Sequence, residues 1–283
     1  MRVVVFLNLN RQVRIIPKRR QVTSGNRKKV RRYGYKIKNS EFPKVSVIIP
    51  AMNERKTIGA VIRQAYRVHP ETEVIVVANG STDGTAEIAQ TIGAKVIRFT
   101  QQLGHDVGRS IGAREAKGDI LLFTDADIII PTRDFVQLTK AVEGGVDVAL
   151  NKYLGPTGKQ HVHSVVLAKH SLNIFVADPE LKGFSLTTIP HAMSRKARDT
   201  IGIDNLAVPP KAQAIAIFRG LNVRGVHFIE VGRTNPRRRF KKGSDPIGKL
   251  IFGDHLEAIN WFISKSGVRG SHLDLDRNRE SVW

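Results

Sequence analysis

At 283 residues, with 41% hydrophobic and 25% charged side chains, the chain can bury a sizeable core and reads as an ordinary globular protein over most of its length. A formal net charge of +21 and a pI near 10.6 predict attraction to anions, meaning nucleotides, nucleic acid or an acidic membrane surface. The lack of cysteine excludes disulfides and thiolate metal sites, and no apolar run approaches the ~20 residues of a membrane span.

Met1 to Leu9 is apolar but short and has no small-residue cleavage site, so a signal peptide is not expected and the cytoplasm is the expected compartment. From Arg11 to Lys44 the sequence is dominated by Arg and Lys, including Lys18-Arg19-Arg20 and Arg27-Lys28-Lys29, and residues 1–42 are predicted to form a disordered basic arm. Such an arm is either a solubilising tail or a peripheral anchor to anionic lipid or nucleic acid. From Pro43 onward, strands are predicted at Lys44–Ile49, Glu73–Ala78, Lys95–Phe99 and Lys117–Ile130, then Val146–Leu150. Helices are predicted between them at Thr57–Val68, Asp83–Thr91, Val107–Ala116 and Thr132–Val142. This alternation implies an α/β fold, a mostly parallel, Rossmann-like sheet with helices on both faces and ligands at the strand C-terminal ends. Past Asn151 the pattern loosens into helices at His163–Val176 and Lys211–Phe218, a strand at Asn222–Glu230, a basic loop from Asn235 through Arg237, Arg238 and Arg239, and a long helix at Pro246–Lys265. Residues 43–151 are thus expected to hold the ligand half of the site and 152–283 the rest of the same domain.

The run Gly118-Asp-Ile-Leu-Leu-Phe-Thr-Asp125-Ala-Asp127-Ile-Ile-Ile130 places two carboxylates in an apolar stretch of buried-strand length. On an extended backbone Asp125 and Asp127 face one side, and two hard oxygen ligands at a strand end suit a divalent cation that also binds phosphate. The plainer reading is a strand end with two solvated or helix-capping aspartates. The first strand ends in Pro50-Ala51-Met52-Asn53-Glu54, which is neither the Gly-x-Gly-x-x-Gly of a dinucleotide fold nor a P-loop. In His105-Asp-Val-Gly108-Arg109-Ser-Ile-Gly112, the glycines permit close backbone approach and Arg109 near a helix start suits phosphate or a sugar hydroxyl. His161 and His163 lack a third ligand at zinc spacing and are read as loop residues.

Three segments, Val45-Ser-Val-Ile-Ile-Pro50-Ala51-Met-Asn53-Glu54, Val76-Val-Ala-Asn79-Gly80-Ser-Thr-Asp-Gly-Thr85 and Gly118-Asp-Ile leading to Asp125-Ala-Asp127, resemble a family 2 glycosyltransferase of the GT-A fold, over Pro43 to about Asn151. The resemblance implies a nucleotide diphospho-sugar at the strand ends, bridged to the Asp-x-Asp carboxylates by Mn²⁺ or Mg²⁺. Carried over by position, Pro50, Ala51, Asn53 and Glu54 would line the nucleoside pocket, Asn79 and Gly80 would meet the base, Asp125 would lie near ribose and sugar, and Asp127 would bind the metal. The base, uracil or guanine, is left open because the family usually has an acid where Asn79 stands, and Asn loses the charge-assisted bond.

Inverting members carry an acidic pair before a helix in the acceptor half, whereas here that stretch reads Ala207-Val-Pro-Pro-Lys211-Ala-Gln213. Asp204, Glu230 and Asp178 are the nearest substitutes for a general base; otherwise the chain resembles retaining enzymes that make glucosyl- or mannosyl-glycerate compounds. Those relatives add a C-terminal His to the metal, for which His255 is the first candidate, with His272 and Asp276 behind it. The expectation is a metal-dependent hexosyltransferase acting on an anionic small molecule or polyprenyl phosphate, with nucleic acid disfavoured. The competing reading is a catalytically degenerate GT-A domain that binds nucleic acid or a membrane surface.

Overall fold

A computed structural model describes residues 37–158, 160–232 and 245–282. The first strand, β1 (Val45–Ala51), shows how the core is organised: Val45, Val47 and Ile49 point into one apolar cluster, while Ser46 and Ile48 point to the other face. Both faces are buried, as expected of a parallel strand lacking an alternating polar side.

β1 pairs in parallel with β2 (Thr72–Asn79) on one side and β4 (Ile120–Phe123) on the other, and β2 pairs in parallel with β3 (Lys95–Phe99). The crossover helices are α1 (Ile58–Tyr66), α2 (Thr85–Ile92) and α3 (Val107–Glu115). On α1, Ile58, Val61, Ile62 and Ala65 recur at helical spacing and are all fully buried against the β1 face that carries Val45, Val47 and Ile49. Beyond β4 come α4 (Thr132–Glu143), β5 (Val148–Asn151) and α5 (Ser164–Phe175).

The chain then makes a strand that sequence periodicity did not predict, β6 (His191–Ser194), followed by α6 (Arg195–Ile201). β6 inserts between β4 and β5 and runs antiparallel to both. Its His-Ala-Met-Ser sequence has no β-branched run; it is a strand because ladder partners lie on both sides. After α7 (Pro209–Phe218), the edge strand β7 (Val223–His227) is shorter than predicted. The seven strands follow the order β3-β2-β1-β4-β6-β5-β7, so residues past Asn151 contribute to the same sheet as those before it. The final helix, α8 (Pro246–Ser266), joins α5 and α7 in a third apolar cluster of Leu172, Val176, Ala214, Ala258 and Phe262. No helix among the described residues is long and apolar enough to cross a membrane. Residues 1–36 of the basic arm, and Arg237, Arg238 and Arg239 with the rest of 233–244, lie outside the described residues.

Two structural details fix the sheet centre. Buried Glu73 on β2 accepts hydrogen bonds from Ser46 Oγ on β1 and from the Lys117 backbone N–H, both at 2.6 Å, and Ser46 Oγ accepts from Gly118 N–H at 2.7 Å. On the α3 side, a Cβ on Gly112 would lie 2.4 Å from Ile48 Cγ2, and one on Gly108 would lie 3.1 Å from Pro50 Cβ, so these glycines set how closely α3 approaches β1. Replacing Glu73 by Ala strands the Lys117 N–H and the Ser46 hydroxyl in the interior. Urea unfolding should show Glu73→Ala less stable by about 2 kcal/mol, against less than about 0.5 kcal/mol for exposed Glu71→Ala; equal effects would show that the buried network contributes nothing.

Candidate functional site

The strand C-terminal ends are joined to one another before any ligand is considered. Asn53 adopts φ +57°, and its side-chain oxygen accepts from Thr82 N–H at 2.9 Å, while its own N–H donates to Ser81 Oγ at 3.1 Å. Glu54 N–H donates to Thr85 Oγ1 at 2.8 Å, Arg55 N–H donates to Asp83 Oδ2 at 3.0 Å, and Ser81 Oγ donates to Ala51 O at 3.2 Å. The loop after β1 and the loop after β2 therefore form one platform. Asn tolerates the left-handed backbone at position 53 and supplies an acceptor, two properties that favour it there.

Asn79 at the end of β2 is committed to the neighbouring loop. Its Nδ2 donates to Gly104 O at 3.1 Å and its Oδ1 accepts from Leu103 N–H at 2.5 Å. An aspartate could accept but could not donate to Gly104 O, which gives a physical reason for Asn at this position. Gly80, at φ +66°, turns the chain and donates its N–H to Phe99 O at 3.0 Å.

Arg109, on the first turn of α3, is only 4% exposed. Its guanidinium lies 3.1 Å from Asp106 Oδ1 and 3.4 Å from Asp125 Oδ1, and it also donates to Leu186 O at 3.4 Å. Burial opposes its charge, but the carboxylates of Asp106 and then Asp125 outweigh burial and hold its pKa above the ordinary value. Asp106 is itself buried, at φ +62°. β4 stops at Phe123, so Asp125 and Asp127 lie just beyond the strand instead of within it. Both aspartates are half-buried, while Ala126, Ile128 and Ile130 pack into the core.

These groups wall a cleft of about 390 Å³. Pro50, Ala51, Glu54, Asn79, Arg109, Asp125 and Asp127 all line it, together with Gly104, His105, Asp106 and Gly108, and Ile247 and Leu250 of α8 close one side. Asn53 and Gly80 hold its loops. Three other expected residues stand apart. Asp204 is exposed and paired with Arg114 Nη2 at 2.5 Å, and Glu230, also exposed, accepts from Gly232 N–H at 2.8 Å; neither lines the cleft. His255 is 1% exposed on the inner side of α8, with Nδ1 2.7 Å from Ile251 O. Among the described residues no three His, Asp or Glu side chains are placed to hold a metal together, so His255 does not complete a set with Asp125 and Asp127. Two carboxylates with the remaining positions supplied by phosphate and solvent still suit Mg²⁺ or Mn²⁺, which are commonly held that way. Lys211, at the start of α7, is ion-paired to Glu257 at 2.9 Å.

Comparison with known proteins agrees with this architecture. Residues 46–181 match the family described as glycosyl transferase family 2. Residues 46–181 thus resemble a family 2 glycosyltransferase domain. Over 122 residues it is 34% identical to a dolichol-phosphate mannosyltransferase of Pyrococcus furiosus, covering 41% of this chain and 35% of that one. Over 103 residues it is 37% identical to a glucosyl-3-phosphoglycerate synthase of Mycolicibacterium paratuberculosis, covering 32% and 31%. The matched part spans about a third of the length of such relatives. In fold, the chain resembles the crystal structure of glucosyl-3-phosphoglycerate synthase from Mycobacterium tuberculosis with uridine diphosphate. The TM-score is 0.61 at 20% identity, covering 77% of this chain and 80% of that one. A second structure of that protein, with Mn²⁺, uridine diphosphate and phosphoglyceric acid, gives 0.56 at 22% identity over 80% and 79%. The GT-A architecture expected from the strand-end motifs is the one observed.

Sequence reasoning missed three polar groups around the domain's cleft. Asp106 was passed over as part of a glycine-containing loop. Asp254 was overlooked beside His255; it follows Ile247 and Leu250 at i+7 and i+4, hence on the cleft side of α8. Burial first, and Asp106 second, push its carboxyl up to about 6. His191 on β6 stacks on Phe123 with ring centroids 5.0 Å apart, and burial, then the Arg109 charge, lower it to about 3. A histidine held neutral in the fold binds fewer protons than in the unfolded chain, so its share of stability is lost as pH falls below the unfolded value near 6.5. Between pH 7 and 5 that share is about 2 kcal/mol for His191, while Asp254 acts in the opposite direction. His191→Phe keeps the ring stack and should flatten the acid loss measured by urea unfolding at pH 7 and 5; an unchanged difference would show that His191 already titrates normally.

Proposed function

We propose that this cleft binds a nucleotide diphospho-sugar and that the chain transfers its hexose to an anionic or lipid-linked acceptor. The observation that carries the reading is the convergence on one cleft of the β1 and β2 end loops, Arg109, and the Asp125–Asp127 pair. In this reading the nucleoside lies on the platform of Pro50, Ala51 and Glu54, beside Asn79. Asn79 acts chiefly by holding the loop at Leu103 and Gly104 against the nucleotide, so recognition of the base falls partly to backbone groups of that loop. Gly104 and Gly108 let backbone approach the diphosphate. Asp125, anchored by Arg109, would face the ribose and sugar, and Asp127 would hold a divalent cation, Mn²⁺ or Mg²⁺. That cation would supply Lewis-acid stabilisation of the departing nucleoside diphosphate.

Names among the relatives support both acceptor classes. They include dolichol-phosphate and undecaprenyl-phosphate sugar transferases and a phosphoglycerate glucosyltransferase. The start of α7 offers Pro209 and Pro210 where a catalytic carboxylate would stand, and Lys211 is neutralised by Glu257, so no proton acceptor comes from that turn. The basic arm, residues 1–42, would bring the chain to an anionic membrane if the acceptor is lipid-linked.

The test is a thermal-shift screen of UDP- and GDP-hexoses with Mn²⁺ or Mg²⁺. A sugar nucleotide at about 100 times its Kd should stabilise the fold by about 2.7 kcal/mol. Asp127→Ala should abolish the metal-dependent part of the shift while leaving the ligand-free melting temperature nearly unchanged. If no sugar nucleotide shifts the wild-type chain in either metal, the transferase reading fails. Salt-sensitive RNA or vesicle binding that survives Asp127→Ala would then favour a binding protein.

A further inference from the structure

α5 and α8 start together and run side by side in the same direction. Their N-caps are bonded to each other: His163 Nδ1 accepts from Val165 N–H, so Nε2 carries the proton and donates to Asp245 Oδ2 at 3.0 Å, while Asp245 Oδ1 accepts from Gly248 N–H at 2.8 Å. Farther along, Leu172 and Val176 at the end of α5 meet Ala258 and Phe262 of α8 in the third apolar cluster. The inner faces of the two helices are thus covered, and the outer ones are not. Leu167 and Ile174 on α5 are 54% and 61% exposed, Leu256 on α8 is 54% exposed, and Phe175 and Phe252 are exposed as well. Single exposed apolar side chains are ordinary on a protein surface, but a cluster of them marks an interaction surface.

The helix phases bring these side chains to one surface. On α8, Glu257 and Trp261 turn toward α7, where Glu257 pairs with Lys211 at 2.9 Å and Trp261 meets Phe218 edge-on at 5.6 Å. At 100° per residue, Phe252 and Leu256 lie roughly 100–180° around the helix from those two, on the flank away from α7 and beside α5. On α5, Leu167 and Ile174 are two turns apart on the face opposite buried Lys169 and Val176. No acid interrupts this surface: α5 has no Asp or Glu, and the two acids of α8, Asp254 and Glu257, belong to the flank that carries Ile247, Leu250 and Trp261. Exposed Lys249 stands three and seven residues before Phe252 and Leu256, on their side of the helix. The sequence that leads into α8 adds Arg233, Arg237, Arg238, Arg239, Lys241 and Lys242, with no Asp or Glu between 233 and 244.

Aliphatic and aromatic side chains on one flank, a lysine beside them and a polybasic run next in sequence are the chemistry of a surface that lies in the headgroup boundary of an anionic bilayer. A second copy of the chain fits less well, since association through this face would bring together two chains of net charge +21. We propose that the outer face of α5 and α8, formed by Leu167, Ile174, Phe175, Phe252 and Leu256, is a docking surface for an anionic lipid bilayer. The contact is thereby assigned to a folded face of the protein and not to the basic arm. Ile247 and Leu250 wall the cleft from the opposite flank of α8, so a docked chain holds its cleft close to the bilayer. This goes beyond the transferase reading and does not depend on what the cleft binds.

The chain has no cysteine, so one introduced thiol carries an environment-sensitive dye at a single place. Full-length Ile174→Cys and Leu256→Cys, each labelled, are mixed with vesicles of phosphatidylcholine with or without phosphatidylserine. Labelled Thr91→Cys is the control; Thr91 is exposed on α2, and next to it Ile37 N–H, where the chain enters the described fold from the basic arm, donates to Ile92 O at 2.8 Å. Emission from positions 174 and 256 should shift to the blue on the vesicles that contain phosphatidylserine and much less on the neutral ones, with position 91 unchanged. The unlabelled double variant Ile174→Ser with Leu256→Ser should bind the anionic vesicles at least about tenfold more weakly than wild type in flotation, because two apolar side chains no longer leave water. Both side chains are exposed, so the melting temperature should hold; if it falls, the dye shifts decide, since each labelled variant replaces only one residue of the face. Four outcomes overturn the proposal. A shift at 91 without one at 174 and 256 would assign the contact to the arm, and a shift at 256 that grows with protein concentration in the absence of vesicles would assign the face to a second copy. Equal shifts on neutral and anionic vesicles would remove charge from the recognition, and no shift on any vesicle would leave a protein partner as the occupant.

Discussion

The pairing of Arg109 with Asp106 and Asp125 is the interaction on which the site depends. A guanidinium this deeply buried would be strongly unfavourable by itself, and one carboxylate at about 3 Å would not satisfy its five donors. Asp106 supplies a buried counter-charge from the same helix turn, Asp125 supplies a second from beyond β4, and the Leu186 carbonyl supplies a neutral acceptor from the far half of the chain. Three segments remote in sequence are thereby tied to one planar group. Breaking a buried pair costs more than it ever contributed, because the remaining charge stays behind. The arrangement is thus better understood as a constraint on geometry than as a source of stability.

The same logic runs through the strand-end loops. The side chains of Asn53, Ser81, Asp83 and Thr85 accept from backbone N–H groups of these two loops, and Asn79 commits both ends of its amide to residues 103 and 104. A platform built this way is fixed before ligand arrives, which lowers the ordering entropy that binding must overcome. It also shifts the expected chemistry of recognition. Where side chains are engaged in holding loops, the groups left to meet a nucleotide are largely backbone, and glycines at 104 and 108 keep that backbone accessible.

Much of this was legible in the sequence because the donor half is made of local signals. Buried parallel strands ended by Pro50 or Asn79-Gly80, and helices with apolar residues at i, i+3 and i+4, announce themselves without tertiary information. What escaped were elements that exist only through partners. β6 is a four-residue strand defined by β4 and β5 on either side. The Asp-x-Asp run looked like continuous strand because Ile128 and Ile130 are buried, yet their burial is in a loop that packs under the sheet end. His255 is buried on the inner side of α8, whereas Asp254 one residue earlier lies near Asp106 of the cleft; a helix turns 100° per residue, and motif spacing without a fixed helix phase cannot separate the two. The basic segments at 1–36 and 233–244 lie outside the described residues; among the described residues that line the cleft, Arg109 is the one Arg or Lys.

Arg109 and Lys169 also show how the two halves of the chain are joined at one segment. Leu186 and Thr188 are two residues apart on the segment leading into β6, and each is gripped by a cation from a different helix, α3 and α5. Gln213 of α7 accepts from Leu186 N–H at 2.8 Å and so fixes the same segment from a third direction. Asp125, tied to Arg109, is thus positioned in part by residues from beyond Asn151, because Arg109 is itself anchored to a segment that α5 and α7 also hold.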